Sequence, residues 1–320
     1  MNAGHRHTHG NASADSDRRW LGGALAVIAA FMLGEVVVGI IAGSLALLSD
    51  AAHMLTDGAS IALALWAIRL SARPASGRMT YGWRRVEILS AQANGVTLLV
   101  LAAWLAYEAI KRLIHPPQVT GALVLVTALV GVVVNLAATW MISRANRASL
   151  NVEGAFQHIL NDLFAFIATA VAGVAILATG FGRADAIATL VVVALMLRAG
   201  VVLVRAATLV FLEAAPAGIE PSAIGQAMAA HDSVVEVHDL HVWEITSGDP
   251  ALSAHVIVAA ARDCHATRND LAHLLAHEHG ISHATLQLDH DTSEISKQDA
   301  AGVCAHCDDP HGPTHRTTGA

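Results

Sequence analysis

The sequence predicts a polytopic α-helical membrane protein with a small α+β domain at its C-terminal end. Of its 320 residues, 54% are hydrophobic and only 14% are charged, whereas soluble domains contain about 25% charged residues. The shortage of charge is confined to residues 20–212, which contain a series of long apolar segments. Residues 1–19 and 213–320 have an ordinary polar composition. This change near Glu213 predicts two domains of different kinds.

Six of the apolar segments are long enough to span a bilayer, because a transmembrane helix needs about 20 mostly apolar residues. Residues that favour turns, such as Gly43-Ser44 and Pro116-Pro117, separate them. The predicted spans of this transmembrane domain are residues 20–42, 45–69, 86–109, 119–142, 155–180 and 184–211.

Arginine and lysine are unevenly distributed among the segments that connect the spans. If the N-terminus lies inside, the outside connections hold only Lys111, Arg112 and Arg183, and the other connecting arginines lie inside. Short cytoplasmic connections are the ones enriched in these residues. The sequence therefore predicts that both termini, including the His-containing tail of residues 1–19, lie in the cytoplasm.

The apolar pattern of residues 213–290 is that of a soluble domain. We expect helices at residues 218–230 and 264–279, and strands at residues 234–243, 252–260 and 284–289. The order αββαβ predicts a ferredoxin-like sandwich in which helices cover one face of the sheet. Residues 291–320 have no hydrophobic pattern and are expected to form a flexible His- and Cys-containing tail.

Two of the predicted spans contain a histidine four residues before an aspartate: His53 with Asp57, and His158 with Asp162. This spacing places both side chains on one helix face, and ionisable groups inside a bilayer are costly. Two such helices facing each other would supply two imidazoles and two carboxylates, a closed tetrahedral set suited to Zn²⁺. A proton relay is the main alternative.

Asp50 lies about one helical turn before His53, and two interpretations of it stay open. Its carboxylate would either orient the His53 ring from behind the metal site or pair with another group near the membrane surface.

Four stretches of the sequence carry a resemblance to a known family. They are Ser-Leu-Ala-Leu-Leu-Ser-Asp-Ala-Ala-His-Met-Leu-Thr-Asp at 44–57, Thr-Tyr-Gly-Trp-Arg-Arg-Val-Glu-Ile-Leu at 80–89, Arg-Ala-Asp-Ala at 183–186 and His-Asp-Leu-His-Val-Trp at 238–243. Over residues 20–290 the chain resembles the cation diffusion facilitator family, most of all its bacterial and vesicular zinc exporters. The resemblance implies a homodimer in the bacterial inner membrane, in which each protomer exports cytoplasmic metal in exchange for protons.

By this resemblance the transport site is formed by His53, Asp57, His158 and Asp162, the residues that the spacing also indicates. Imidazole ligands favour Zn²⁺ and Co²⁺ over hard cations, so Zn²⁺ is the expected metal, with Co²⁺ or Cd²⁺ as alternatives. Some relatives have a further site between the second and third spans. That site is built from Asp and His. Residues 73–83 contain neither residue type, so the site is expected to be absent. No organic cofactor is expected.

The resemblance also implies a regulatory or structural metal site in the cytoplasmic domain, formed by His238, His255 and Asp289, with His283 nearby. His238 and His241 are three residues apart on a predicted strand. They are therefore expected to face opposite sides of the sheet.

Cys304 and Cys307 form a Cys-x-x-Cys pair in the predicted tail. Such pairs serve redox chemistry or bind metal, and no thioredoxin-like βαβ unit precedes this one. Vesicular relatives carry a comparable pair at the cytoplasmic site, so metal binding is the favoured interpretation. Five other histidines of the two tails either collect metal loosely or are dispensable; they are His5, His7, His9, His311 and His315.

Two other kinds of protein fit part of the pattern. An intramembrane metalloenzyme would need an open coordination position and a general base, but the spans contain no His-Glu-x-x-His motif. A metal sensor would not need His-x-x-x-Asp pairs at mid-membrane, given the cost of charge there. A transporter and not an enzyme is therefore expected. Its expected partners are protons, lipid and a second copy of the chain, and nucleic acid is not among them.

Overall fold

A computed structural model describes the backbone of residues 9–42, 45–115, 121–291 and 312–316. The chain divides into two compact units, Met1–Thr208 and Leu209–Ala320. Within the helices, some side chains lie outside the described part of the chain; they belong to residues 9–16, 35, 38–42, 45–57, 121–124, 127 and 185.

The described part of the first unit is built from six long helices. In a bilayer a single apolar segment can satisfy all of its backbone hydrogen bonds only as a helix, and each helix overlaps one of the six predicted spans. The helices are α1 (His9–Ala42), α2 (Leu45–Ser71), α3 (Val86–Ile114), α4 (Gly121–Ile142), α5 (Leu150–Thr179) and α6 (Ala184–Phe211).

Helix α1 begins eleven residues before the predicted span, inside the segment expected to be a tail. Asp17 is buried there, and its carboxylate accepts a hydrogen bond from the backbone N–H of Asn146 at 2.8 Å. Trp20 packs edge-on against Trp140 of α4, with 5.8 Å between ring centroids. Tertiary contacts therefore extend the helix beyond the apolar segment, which hydropathy alone could not reveal.

Helices α1, α2, α4 and α5 share one hydrophobic core. Its large, fully buried members include Leu21, Ile28, Ile61, Ile142 and Ile159. Helices α3 and α6 pack on each other around a second core. Where these two helices cross, a Cβ on Gly200 would lie 3.1 Å from the carbonyl oxygen of Gly95. Small residues at this point allow the two backbones to approach closely.

Several of these helices have the length and surface expected in a membrane. Among the described residues, three are long and apolar enough to cross a bilayer: Val86–Ile114, Leu150–Thr179 and Ala186–Phe211. Two shorter apolar stretches, Gly58–Ser71 and Ala128–Ile142, belong to α2 and α4. Large apolar side chains are exposed along α3, as a lipid-facing surface requires; they are Leu89, Val96, Val100, Trp104, Ile110 and Ile114.

The second unit contains a mixed sheet and two helices in the order α-β-β-α-β, followed by one more short strand. The strand order is β3-β2-β1-β4; β1 pairs antiparallel with both β2 and β4, and β2 pairs parallel with β3. The elements are α7 (Pro221–Ala229), β1 (Val234–Glu244), β2 (Pro250–Val258), α8 (Cys264–Glu278), β3 (His283–His290) and β4 (His315–Arg316).

One face of this sheet packs on the two helices. Val237 on β1, Leu252 and Val256 on β2 and Leu271 and Leu275 on α8 are buried in the same core. Helix α8 is capped at its start by Asp263, whose carboxylate accepts the backbone N–H groups of His265 and Ala266. The opposite face carries several polar side chains, among them the candidate ligands described below.

Strand β4 lies inside the segment that was expected to be a flexible tail. Its two residues pair with Glu236 and Val237 of β1, and the His315 side chain is buried. The prediction of a tail is wrong for these two residues. A two-residue strand has no hydrophobic pattern of its own, because its position depends on the unpaired edge of β1.

Candidate metal sites

Helix α5 places His158 and Asp162 in the interior of the first unit. Ser149 caps the helix by accepting the backbone N–H of Val152 at 3.3 Å, and Gly180 ends it with a left-handed φ of 70°. His158 is buried, with 1% of its side chain exposed, and its Nε2 lies 3.8 Å from Oδ2 of Asp162. The spacing of four residues therefore brings an imidazole and a carboxylate together on one helix face.

Helix α5 contacts α2, the helix that carries the other His-x-x-x-Asp pair. The buried amide of Asn151 donates to the carbonyl oxygen of Ala64 in α2 at 3.0 Å. His53, Asp57 and Asp50 belong to α2, but their side chains lie outside the described residues. The structure thus joins the two helices and describes the side chains of one pair.

A cavity of about 380 Å³ with a mostly apolar lining lies beside α5, between residues 150 and 164 of that helix and residues 195 and 206 of α6. Glu153, Gln157 and Asn161 of α5 and Arg198 of α6 contribute its polar lining. Asn161 directly precedes Asp162 in the chain. A space large enough for water, with four polar side chains in its wall, therefore adjoins the segment that carries the His158–Asp162 pair.

A second group of candidate ligands lies on the polar face of the sheet. His238 on β1 and His255 on β2 are paired across the strands, and both are buried. Their ring centroids are 4.5 Å apart. Strand pairing therefore brings together two of the three residues that the sequence predicts for a cytoplasmic metal site.

Asp289, the third predicted residue, contacts His255 from β3. Its Oδ2 lies 2.5 Å from Nε2 of His255 and accepts the side-chain amide of Gln287 at 3.1 Å. These hydrogen bonds, that of Gln287 first, lower the pKa of Asp289 below its ordinary value. The carboxylate is therefore ionised at neutral pH and able to bind a cation.

Asp239 completes a compact set that the sequence analysis did not name. Potential ligand atoms of His238, Asp239 and His255 all lie within 4.8 Å of one another. Asp239 has a left-handed φ of 49°, a conformation that Asp tolerates better than most residues. In the sequence, the acidic residue next to His238 was the signal that could have indicated this ligand. On a regular strand, however, the Asp239 side chain would point to the face opposite His238.

A β-bulge explains this arrangement and corrects one expectation. His238 pairs with His255 and His241 pairs with Ser253, so β1 has one more residue than β2 between these pairs. Residues paired across antiparallel strands share a face. His238 and His241 therefore project from the same face, and the prediction of opposite faces is wrong because it assumed an unbroken strand.

The structure separates His283 from the other candidates. His283 begins β3 and pairs with Ala251, whereas Asp289 pairs with Ile257. Six residues of strand correspond to about 20 Å, so one ion cannot bind both residues of the same protomer. Cys304 and Cys307 lie outside the described residues.

Comparison with known proteins adds independent information. Residues 23–212 match the family model of the cation efflux transmembrane domain, and residues 216–291 match that of the cation efflux protein cytoplasmic domain. The first match alone covers more than half of the 320 residues.

Three relatives illustrate the similarity. The chain is 34% identical to a cadmium, cobalt and zinc/H(+)-K(+) antiporter of Bacillus subtilis, over 94% of this chain and 96% of the relative. It is 35% identical to zinc transporter ZitB of Escherichia coli, over 89% and 92%. It is 32% identical to a proton-coupled zinc antiporter of Homo sapiens, over 96% and 85%. The chain therefore belongs to the cation efflux family, and it combines that family's transmembrane domain with its cytoplasmic domain.

Proposed function

We propose that this protein exports divalent metal, Zn²⁺ above all, from the cytoplasm in exchange for protons. The observation that carries the proposal is the buried His158–Asp162 pair on α5, a helix long and apolar enough to span a membrane. Relatives that are named as zinc antiporters match nearly the whole chain. Co²⁺ and Cd²⁺, which appear in the name of the Bacillus relative, are further candidates.

The contact between Asn151 and Ala64 supports a shared site on α2 and α5. The described helices of the first unit are joined by short connections and so alternate in direction, which makes α2 and α5 antiparallel. His158 is seven residues after Asn151, and Asp57 is seven residues before Ala64. At 1.5 Å per residue, both lie about 10 Å from the contact. We therefore assign His53, Asp57, His158 and Asp162 to one transport site.

The chemistry of these ligands couples metal to protons. Imidazole and carboxylate bind Zn²⁺ only in their deprotonated forms, so metal binding releases protons and protons displace metal. Histidine titrates between pH 5 and 8, within the range spanned by the two sides of a bacterial membrane. Cytoplasmic metal would need a path to the site, for which the cavity beside α5 is a candidate, and rocking of the helices would expose the site outward.

The larger assembly follows from the same proposal. We infer six transmembrane spans, both termini in the cytoplasm, a ferredoxin-like cytoplasmic domain and a homodimer in the bacterial inner membrane. The overlap of α1–α6 with the predicted spans and the mixed sheet of the second unit support these inferences. We assign residues 20–212 to transport and residues 213–290 to cytoplasmic metal binding.

The cytoplasmic site is proposed to bind Zn²⁺ through His238, His255, Asp239 and Asp289. Two buried imidazoles beside an ionised carboxylate make a donor set that suits Zn²⁺. A bound ion would hold β1, β2 and β3 together at one point of the sheet. The ion would either stabilise the domain or regulate transport. Measuring how flux depends on metal at this site distinguishes the two roles.

The transport proposal is tested by zinc flux into proteoliposomes under an imposed pH gradient. The wild type is expected to move zinc only with the gradient present, and His158→Ala and Asp162→Ala are expected to abolish flux. Thr169→Val, further along the same helix, is the control and should transport normally. Normal flux in both site variants would refute the site assignment.

A further inference from the structure

Strand β4 contacts the cytoplasmic ligand group through a single carboxylate. Nε and Nη2 of Arg316 lie 2.7 and 2.6 Å from Oε2 of Glu236. The other oxygen of the same carboxylate, Oε1, lies 3.1 Å from Nδ1 of His238. Glu236 therefore joins the last described strand of the chain to a ring of the proposed metal site.

This contact places a negative charge beside one ring nitrogen of His238. A carboxylate beside Nδ1 favours the proton on that nitrogen and so leaves the Nε2 lone pair for the ion. Metal-ligating histidines commonly have such a partner, and its loss lowers metal affinity. Arg316, with two nitrogens on one oxygen, in turn holds the Glu236 carboxylate in place.

The other face of β4 is held by His315. Alternate residues of a strand project to opposite faces, so Arg316 lies on the side of the metal group and His315 on the side of the helices. The His315 ring packs so closely on Gly225 of α7 that a Cβ at Gly225 would overlap it. Two side chains on opposite faces thus secure a strand of only two residues.

We propose that β4 is a strap that positions His238 for metal through Arg316 and Glu236. The proposal rests on the cytoplasmic site described under Proposed function, and it adds residues that bind no metal themselves. Coupling between two sites is reciprocal. Docking of β4 raises the metal affinity of the site, and metal binding at the site stabilises the docked strand.

A purely structural role for β4 makes a different prediction. A fourth strand also covers the exposed edge of β1, which protects a sheet from unwanted pairing. In that case removing the Arg316 contact would change the stability of the domain but not its metal affinity. Bound metal would then leave hydrogen exchange in β4 unchanged.

The test uses the full-length protein with Asp162→Ala, which removes the transport site, in every sample. Zn²⁺ affinity is measured by calorimetry, and amide hydrogen exchange of residues 312–316 is followed with and without Zn²⁺. Arg316→Ala and Glu236→Ala are expected to lower the affinity about tenfold or more, and Zn²⁺ is expected to slow exchange in β4. Arg262→Ala, an exposed arginine of the same unit, is the control.

A second variant perturbs β4 on its other face, through the His315 side chain. Gly225→Ala leaves Glu236 and Arg316 intact but displaces the His315 ring, so it is expected to weaken metal binding in the same direction. His255→Ala separates the two proposals. If His255→Ala removes one bound Zn²⁺ while the strap variants bind normally, the strap is refuted and the site stands. If His255→Ala binds as much Zn²⁺ as its parent, the cytoplasmic site itself is refuted.

Discussion

Asn151 donates its side-chain amide to the carbonyl oxygen of Ala64 at 3.0 Å, and this bond joins α5 to α2 inside the first unit. Both helices carry a His-x-x-x-Asp pair, and Asn151 itself is fully buried. The bond therefore fixes the relative height of α2 and α5. It lies about two helical turns from His158 on α5 and about two turns from Asp57 on α2.

Replacing Asn151 by Ala tests this role. The variant loses a buried hydrogen bond and leaves the Ala64 carbonyl without that donor, so the free energy of unfolding is expected to fall by about 1 kcal/mol. Zinc affinity of the proposed transport site is expected to fall as well, because the two helices lose their alignment. Thermal unfolding and zinc titration check both effects. Asn269→Ala, at an exposed position of α8, should change neither.

Replacing His158 by Asp tests the proposed metal selectivity. The change exchanges a nitrogen ligand for an oxygen ligand at a buried position, and oxygen-rich sites suit Mn²⁺ while imidazole favours Zn²⁺. We expect flux of Zn²⁺ to fall by at least tenfold relative to flux of Mn²⁺. Competition between the two metals in proteoliposomes measures the ratio. His273→Asp on the exposed surface of α8 should leave the ratio unchanged, and an unchanged ratio in His158→Asp would contradict the ligand role.

Adding a methyl group at Gly200 tests the crossing of α3 and α6. In Gly200→Ala the Cβ would lie 2.8 Å from side-chain atoms of Leu99 and 3.1 Å from the Gly95 carbonyl. Overpacking of this kind costs about 1–3 kcal/mol, so a lower melting temperature in detergent is expected. Gly22→Ala on α1, where a Cβ would meet nothing within 4 Å, is the matched control. Equal melting temperatures for the two variants would show that the crossing is not tightly packed.

The N-terminal cap of α8 makes the stability of the second unit depend on pH. Backbone N–H groups of Ala266 and His265 lower the pKa of Asp263 below its ordinary value. A carboxylate with a lowered pKa in the folded state contributes stability above its unfolded pKa of about 3.9, and this contribution disappears as pH falls through the folded value. The melting temperature of the wild type is therefore expected to exceed that of Asp263→Ala at pH 7. This difference is expected to narrow below about pH 4.

Asp263→Asn separates charge from hydrogen bonding at the same position. Asn also caps helices well, so this variant is expected to be more stable than Asp263→Ala at every pH and to lack the change near pH 4. If the difference in melting temperature between wild type and Asp263→Ala stays constant down to pH 3, the charge of the carboxylate is excluded as its source.

The helices were predictable because their signal is local. Residues 184–211 form one apolar segment with a turn before it, and α6 occupies Ala184–Phe211. The four-residue spacing of His158 and Asp162 likewise needs only helix geometry to bring the two side chains together. The N-terminal part of α1 was missed because the burial of Asp17 depends on Asn146, far away in the chain.

The arrangement of the ligand group on the sheet depends on strand register, which the periodicity of one strand does not contain. Alternation on β1 predicts that His238 and His241 face opposite sides, and one inserted residue reverses that result. The same bulge turns Asp239 toward His238 and His255. No residue type at 239 or 240 announces a bulge, because it is produced by the register between two strands.

By itself, the sequence determined that this chain has apolar helices of membrane-spanning length, a following αββαβ domain and His-x-x-x-Asp pairs on α2 and α5. Each of these properties follows from composition or from a local repeat, of two residues in strands and of three to four residues in helices. Only the tertiary structure decided that Asp239 joins His238 and His255, that His283 lies apart, and that Arg316 reaches Glu236 from the end of the chain. These contacts depend on strand pairing and register, which join residues distant in sequence and leave no periodic signal in either partner.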